Sequence, residues 1–278
     1  MENQTKKIVS FVSQRCDRDL VSYDEKFVMN IINNRVITLG LNDLSVYYDY
    51  IRKNESEVDF LVHAFNVSFS LFFREPLVYD LLEERILPKM LSLKQNGNEI
   101  RAWSAGCAYG QEPYSLAILL EELLEFKKEV HNYRIFATDV SDEALEHALL
   151  GEYEKDKLQN VRFKYLEKYF SGNSALETIK TELKKHITFS HYDMLDKQST
   201  NPSESIYGNF DLVLCCNLLI YYKSESRYIM IDKLWKSLAD KGYFITSSAE
   251  MILIEKTLNI KPIYPSFPIF QRAKRILP

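Results

Sequence analysis

The sequence predicts an α/β fold in which a doubly wound, mostly parallel sheet follows a small all-α domain. Up to about Glu75 no segment has the pattern of a strand, and apolar residues recur at helical spacing. From Glu99 onward strand and helix signals alternate, which is typical of a parallel sheet with helices on both faces. Residues 151–186 interrupt the alternation with a stretch rich in lysine, glutamate and aromatic side chains, so we predict a small inserted subdomain there.

The composition is that of a globular protein with a sizeable core. Of the 278 residues, 46% are hydrophobic and 27% are charged, unlike a disordered chain. The 35 basic and 39 acidic side chains give a net charge of −4, so we predict no nucleic-acid partner. No apolar run reaches the roughly 18 residues of a membrane span, and the first residues lack the apolar core of a signal peptide. We therefore expect a cytoplasmic protein without membrane insertion.

The cysteines and histidines do not indicate a metal site. Cys16, Cys107, Cys215 and Cys216 have no metal-ligand spacing, and neither have the five histidines. In a chain of this length and composition, the cysteines are typical of reduced thiols. We predict neither a bound metal nor disulfides.

Three regions are predicted in chain order. Residues 1–75 form the helical domain, with helical spacing clearest around Phe27 and Val58. Residues 76–98 form a linking region, in which a helix opens at Pro76 and runs to about Leu93. Residues 99–278 form the second domain, with 151–186 inserted. Its predicted strands are 100–103, 133–138, 187–192, 210–215 and 242–247, and its predicted helices are 112–128, 141–150 and 224–238.

A pair of glycines follows the first predicted strand. Gly106 and Gly110 let the backbone pass close to a ligand, but the lysine and third glycine of phosphate-binding loops are absent. Glu112, in the first turn of the next helix, would repel a phosphate and can hold a cationic group. The pattern disfavours a pyrophosphate ligand. A plain tight turn before a helix is the alternative.

Polar residues also follow two other predicted strands. In such sheets, ligands bind at the carboxyl ends of the strands. Asp139 ends the second strand and can accept hydrogen bonds from both hydroxyls of a ribose; a helix cap is the alternative, since Ser141 opens a capping sequence. Asn217 and Tyr221 follow the buried strand 210–215. Tyr221 can shape a ligand channel there or serve as a core aromatic.

Together these residues resemble the chemotaxis receptor glutamate methyltransferases over nearly the whole chain. The matching motifs, in the family's order, are Phe72-Phe73-Arg74-Glu75, Gly106-Cys107-Ala108-x-Gly110-x-Glu112-Pro113-Tyr114-Ser115, Ala137-Thr138-Asp139 and Phe210-Asp211-Leu212-Val213-Leu214-Cys215-x-Asn217-x-Leu219-Ile220-Tyr221. The resemblance implies a Rossmann-like methyltransferase domain with a small β-subdomain after a small helical domain. It implies S-adenosylmethionine as cofactor, S-adenosylhomocysteine as its product, and glutamate methyl esters formed on the cytoplasmic helices of a chemoreceptor. We expect the protein to act as a monomer.

The resemblance also implies roles for single residues. Arg74 and Tyr221 would be catalytic, with Arg74 facing the cofactor and the acceptor and Tyr221 near the transferring methyl group. Glu112 would lie near the methionine amino group, and Asp139 would bind the ribose. The remaining residues implied to line the cofactor are Ser68, Ser70, Arg74, Gly106, Asp193, Met194, Asn217 and Leu218, with Asp193 and Met194 beside the adenine and Asn217 and Leu218 at the methionine end.

Three positions depart from the family's pattern. Ser68 and Ser70 precede Phe72 where the family has Asn-Val-Thr, and Cys216 stands where an arginine is usual, which removes a positive charge near the cofactor. The insertion shows no glycine-turned hairpin, which leaves open whether it tethers a receptor tail. Two alternatives follow: a sensor that binds S-adenosylmethionine or S-adenosylhomocysteine without turnover, and a methyltransferase that acts on another carboxylate.

Overall fold

The computed structural model describes residues 2–16, 18–67, 69–94, 98–128, 132–172 and 175–274. By its internal contacts the chain divides into two compact units. The first comprises Met1–Val67 and Ile220–Tyr228, and the second comprises Ser68–Leu219 and Ile229–Pro278.

The first unit is helical, as predicted. Its helices are α1 Glu2–Ser13, α2 Glu25–Thr38, α3 Leu44–Lys53 and α4 Glu55–Ala64. Asp24 and Asp43 begin α2 and α3, and each side chain accepts hydrogen bonds from two backbone N–H groups of the following turn. These caps satisfy donors that have no partner inside a helix.

A buried carboxylate connects three of these helices. Glu57 in α4 is only 3% exposed. The guanidinium of Arg35 in α2 donates to both of its oxygens at 2.7 and 2.8 Å, and the hydroxyl of Tyr47 in α3 donates to Oε1 at 2.8 Å. The charge of Glu57 is thus compensated inside the unit.

A segment far along the chain belongs to the same unit. The backbone N–H of Asp24 donates to the carbonyl of Tyr221 at 2.8 Å. The ring of Tyr222 stacks on that of Tyr23 with centroids 4.5 Å apart. The contacts therefore place Ile220–Tyr228 with the helical unit, whereas the sequence analysis included it in the second domain.

The second unit contains two sheets. In the described part of the chain its strands are β1 Ile100–Ala105, β2 Tyr133–Asp139, β3 Glu152–Glu154, β4 Phe170–Gly172, β5 Leu176–Ile179, β6 Ile187–His191, β7 Phe210–Cys215, β8 Leu238–Thr246 and β9 Ile269–Gln271. The helices after α4 are α5 Pro76–Leu81, α6 Leu87–Ser92, α7 Gln111–Lys127, α8 Asp142–Leu150, α9 Phe163–Tyr169, α10 Thr181–Lys184, α11 Ser224–Ser237 and α12 Met251–Leu258. A π-helical turn, Leu82–Ile86, joins α5 to α6, so the helix predicted from Pro76 is confirmed with one wider turn inside it.

The large sheet has the order β6-β2-β1-β7-β8-β9. Its strands pair in parallel except for β8 and β9, which are antiparallel. Every residue of β7 is buried, as expected for a central strand covered on both faces. The predicted mostly parallel sheet is confirmed. Because the strand order reverses between β1 and β7, the carboxyl ends of these two strands flank the crevice where such sheets bind ligands.

The insertion carries a small antiparallel sheet of order β3-β5-β4. β4 and β5 pair antiparallel with Gly172 in the strand opposite Glu177, and residues 173 and 174 between the two strands, on which the expected absence of a glycine turn depends, lie outside the described residues. A Cβ at Gly172 would lie 2.3 Å from the carbonyl oxygen of Leu176. The two strands approach too closely there for any side chain.

Within the described residues, none of the helices is both long enough and apolar enough to cross a membrane.

Candidate functional site

The loop after β1 turns tightly against the end of β2. Gly106 and Gly110 have φ angles of +75° and +89°, a region that favours glycine. The backbone N–H groups of Gly106 and Cys107 both donate to the carbonyl of Thr138, at 2.8 and 2.9 Å. The close turn predicted from the two glycines is therefore present at the carboxyl edge of the sheet.

Asp139 is held by this loop. Its Oδ2 accepts from the N–H of Ala108 at 2.9 Å, and its Oδ1 accepts from the N–H of Ser141 at 3.0 Å. The cap of α8 is Ser141, whose hydroxyl accepts from the N–H of Ala144 at 3.3 Å. Because a carboxylate has about four acceptor positions, Asp139 can hold the loop and bind a ligand hydroxyl together.

Asn217 follows β7 in a left-handed conformation with φ +60°. Its side-chain oxygen Oδ1 is buried and has no hydrogen-bond partner among the described residues. Buried acceptors are nearly always paired in proteins, so this oxygen fits a donor from a ligand. The next residue, Leu218, packs against Gly106, where an added Cβ would lie 3.0 Å from Leu218 Cδ2.

Glu250 fixes the Asn217 loop and was not assigned a role from the sequence. It is fully buried, and its two oxygens accept from the N–H groups of Asn217 and Leu219 at 2.8 and 2.7 Å. The hydroxyls of Thr246 and Ser247 also donate to it, at 2.8 and 2.9 Å. A buried acid cannot be told from an exposed one in the sequence, since only the fold brings these donors together.

Glu112 lies between β1 and the segment after β7. The hydroxyl of Ser104 donates to its Oε1 at 2.7 Å. Burial raises the pKa of Glu112 to about 7, and the hydrogen bonds from Ser104 and Cys216 act in the opposite direction. Neither donor was assigned a site role from the sequence, because both are small residues at the ends of buried strands.

The segment before α5 is strained. Phe73 and Glu75 have φ angles of +49° and +60°, which cost roughly 1–2 kcal/mol for a residue with a side chain. Phe73 is held by its N–H bond to the hydroxyl of Ser115 at 2.9 Å, and Glu75 accepts from the N–H of Ser248 at 2.9 Å. Strain of this kind concentrates at functional sites.

Arg74 lies between these two strained residues. Its side chain is half-buried, and Nη1 donates to the carbonyl of Phe69 at 3.4 Å. Its positive charge lowers the pKa of Glu112, so the guanidinium lies within electrostatic range of that carboxyl group. Ser70 is partly buried in the same segment, and Ser68 lies outside the described residues.

The loop after β6 carries Asp193 and Met194. Asp193 Oδ1 accepts from the N–H of Leu195 at 2.8 Å, and Met194 is buried. The ammonium of Lys233 in α11 donates to the carbonyl of Asp196 at 2.6 Å. These bonds fix the backbone of the loop that the sequence analysis placed beside an adenine.

Two protein-family models match the chain. A model described as "CheR methyltransferase, SAM binding domain" matches residues 68–263, and one described as "CheR methyltransferase, all-alpha domain" matches residues 3–65. The chain belongs to the CheR methyltransferase family. Residues 68–263 accordingly form the S-adenosylmethionine-binding domain of the CheR family.

Two curated relatives are named chemotaxis protein methyltransferase. The chemotaxis protein methyltransferase of Borreliella burgdorferi is 29% identical over 240 residues, which cover 82% of this chain and 82% of the relative. That of Salmonella typhimurium is 26% identical over 251 residues, which cover 88% of this chain and 82% of the relative.

Solved structures of other methyltransferases are also similar. Magnesium protoporphyrin IX methyltransferase from Synechocystis, with bound S-adenosylmethionine, is 21% identical with a TM-score of 0.31, covering 61% of this chain and 58% of that one. The N-methyltransferase NodS from Bradyrhizobium japonicum, in complex with S-adenosylhomocysteine, is 18% identical with a TM-score of 0.31. The match covers 59% of this chain and 58% of that one. This chain thus spans less than two thirds of the length of either.

In this CheR-family chain the structure brings most of the predicted residues to one edge of the sheet. The segments after β1, β2 and β7 touch through the bond of Asp139 to the loop and the packing of Leu218 on Gly106. Tyr221 belongs by its contacts to the helical unit, where its ring lies 4.8 Å from that of Phe27. Its place near the transferring methyl group stays a prediction.

Proposed function

We propose that this CheR-family chain transfers a methyl group from S-adenosylmethionine to a glutamate side chain of a chemoreceptor and forms a methyl ester. The observation that carries the proposal is the set of acceptor oxygens between β1 and β7. Glu112 presents a carboxylate held by Ser104, and Asn217 presents a buried oxygen without a partner in the described residues. The proposal for the acceptor is supported by relatives named chemotaxis protein methyltransferases.

The residues at this edge fit the cofactor. Its methionine ammonium has three N–H donors, which match the oxygens of Glu112 and Asn217. Asp139, fixed at the end of β2, matches the two ribose hydroxyls. Met194 and Asp193, in the loop after β6, would contact the adenine, and Ser70 and Arg74 would complete the pocket.

The cofactor supplies a methyl group on a positively charged sulfur. A glutamate carboxylate, with a pKa of about 4.3, is already ionised at neutral pH, so no general base is needed. A carboxylate oxygen forms a bond to the methyl carbon, the bond from that carbon to sulfur breaks, and its electron pair stays on sulfur. No proton moves. The chain therefore contributes position and exclusion of water, which are worth about 7–11 kcal/mol in favourable cases.

Arg74 is the residue we propose to orient the acceptor. A guanidinium can hold a carboxylate through two parallel hydrogen bonds. Its hydrogen bond to the Phe69 carbonyl is long, at 3.4 Å, so little stability is lost when the side chain turns to an acceptor. Tyr221 would shape the path of the methyl group. We further propose that the acceptor lies on cytoplasmic helices of the receptor and that the enzyme acts there as a monomer.

The proposal is tested by transfer of a tritiated methyl group. Purified protein is incubated with labelled S-adenosylmethionine and with membranes that contain or lack chemoreceptors. The expected result is label on the receptor that base releases as methanol, which is the behaviour of a carboxyl ester. Arg74→Ala should bind the cofactor but lose most transfer, and Arg85→Ala, an exposed arginine outside the site, should transfer like the original chain.

Other outcomes of this experiment would indicate a different function for the chain. Cofactor binding with no transfer to any membrane protein would contradict the proposal and favour a sensor. Base-labile label on a different protein or a small carboxylate would keep the reaction but replace the acceptor.

A further inference from the structure

We propose that Ser104 and Cys216 are positioning residues that hold the Glu112 carboxylate for the ammonium group of the cofactor, and that cofactor affinity in this chain therefore depends on pH. The inference rests on the proposed function, because it assigns Glu112 to the methionine end of S-adenosylmethionine. It adds two residues and a pH dependence to that site.

Two side chains from neighbouring strands act on one carboxylate. Ser104 lies in β1, is fully buried, and donates to Glu112 Oε1 at 2.7 Å. Cys216 directly follows β7, which pairs with β1, and a hydrogen bond from its thiol lowers the pKa of the same carboxyl group. Both donors favour the ionised form of Glu112, which is the form that attracts a cation.

The rest of the environment opposes ionisation. Burial is the largest influence on Glu112 and raises its pKa to about 7; the negative charge of Glu250 acts in the same direction, and the positive charge of Arg74 acts against both. Other titratable groups of the described chain that interact electrostatically with Glu112 are Tyr79, Cys107, Cys215 and Cys216. Burial raises the pKa of each of these groups, so they are neutral near pH 7 and place no further negative charge beside Glu112.

A pH dependence follows from this balance. The ammonium binds to ionised Glu112, so a proton must leave the carboxyl group before or during binding below about pH 7. The affinity should then fall as pH decreases, by about tenfold per pH unit well below the pKa. Removing either donor raises the Glu112 pKa further, so the affinity begins to fall at a higher pH.

The test is calorimetric titration with S-adenosylhomocysteine at several values between about pH 6 and pH 8.5. This ligand keeps the ammonium but has no charge on sulfur. The variants are Cys216→Ala and Ser104→Ala, which remove a donor, and Cys216→Ser, which keeps one. Cys16→Ala, in the helical unit, is the control for loss of a thiol. Each variant is compared with the original chain at the same pH, so the titration of the ligand's own amino group cancels.

We expect Cys216→Ala and Ser104→Ala to bind about tenfold more weakly at about pH 6 and within about twofold of the original chain at about pH 8.5, which corresponds to a rise of one unit in the pKa of Glu112. Cys216→Ser should keep the original profile. Methylthioadenosine, which has the nucleoside and sulfur but no amino acid group, should bind the original chain and both alanine variants equally at every pH.

Two results would overturn the inference while the proposed function stands. One is binding of S-adenosylhomocysteine by the original chain with no dependence on pH below about 7. The other is an equal loss of affinity at all pH values in the alanine variants, which indicates a role in packing alone. Failure of the original, folded chain to bind S-adenosylhomocysteine at any pH would instead contradict the proposed function itself.

Discussion

Several residues at the carboxyl edge of the sheet hold left-handed backbone conformations without being glycine. They are Phe73, Glu75, Ala108 and Asn217. The N–H groups of Phe73, Ala108 and Asn217 donate to Ser115, Asp139 and Glu250 respectively, and the carboxylate of Glu75 accepts from the N–H of Ser248. Such conformations persist only where surrounding contacts over-determine them. Part of the backbone strain therefore lies in the segments that we propose to bind the cofactor and the acceptor.

Asn217 allows backbone and side-chain effects to be separated. Asn217→Gly keeps the left-handed backbone but deletes the buried oxygen, so we expect near-original stability and at least about tenfold weaker binding of S-adenosylhomocysteine. Asn217→Ala should bind as weakly and also lose about 1–2 kcal/mol of unfolding free energy, because alanine is strained at φ +60°. Urea unfolding and calorimetry measure the two effects. If Asn217→Gly bound the ligand as tightly as the original chain, the side chain would have no part in the site.

Glu112 should make the stability of the ligand-free protein decrease as pH rises. Its pKa in the folded chain, about 7, lies above the ordinary 4.5, so between these values the unfolded chain releases the proton first and the unfolding free energy falls as pH rises. Glu112→Gln removes this effect. We expect it to equal the original chain at about pH 4.5 and to be about 1–3 kcal/mol more stable at about pH 8, an amount reduced by the partial exposure of the side chain.

The measurement is urea unfolding of both chains across this pH range. Glu182→Gln, at an exposed glutamate in the inserted subdomain, is the matched control and should change little at any pH. A constant difference between Glu112→Gln and the original chain, or one that decreases as pH rises, would contradict the raised pKa.

At the scale of elements, the sequence predicted those with strong periodicity. The strands β1, β2, β6 and β7 and helix α7 were found close to their predicted bounds, because apolar runs bounded by turns are distinctive. The strands β3, β4 and β9 have three residues each and show no measurable alternation. The pairing of β4 with β5 at Gly172 was missed for the same reason, since the close approach of the strands is a contact and not a pattern.

The sequence likewise predicted some of the site residues and missed others. Loop residues after long strands, such as Asp139 and Asn217, could be located from position alone. Ser104 and Glu250 could not, since their roles depend on donors and acceptors brought together from distant segments.

Helices α2, α3 and α4 depend on the buried charge of Glu57. Arg35→Met leaves the Glu57 carboxylate buried with only the Tyr47 hydroxyl, so we expect a loss of about 3–5 kcal/mol in unfolding free energy. The double variant Arg35→Met with Glu57→Leu removes both charges and should recover a large part of that loss. Urea unfolding followed by circular dichroism measures both, with exposed Lys53→Met as control. A double variant as unstable as the single one would show that lost packing, and not the unpaired charge of Glu57, causes the loss of unfolding free energy.

At the scale of the whole molecule, the proposed site residues are distributed unequally between the two units. The described cofactor-site residues other than Tyr221 lie in the second unit, and they come from separate loops along the chain. Family models match both units, so the helical unit and the S-adenosylmethionine-binding domain belong to one family architecture. For the molecule as a whole, we propose that the carboxyl edge formed by β1, β2 and β7 is the cofactor site.

The most direct test of this claim is calorimetric titration of S-adenosylhomocysteine into the original chain and into Asp139→Ala. Asp240→Ala, at an exposed aspartate outside the site, is the control, and thermal unfolding establishes that each variant is folded. The account predicts one binding site per chain in the original protein and in Asp240→Ala, and binding weaker by at least about tenfold in Asp139→Ala, which loses its charged hydrogen bonds to the ribose. Binding by folded Asp139→Ala as tight as that of the original chain would contradict the account.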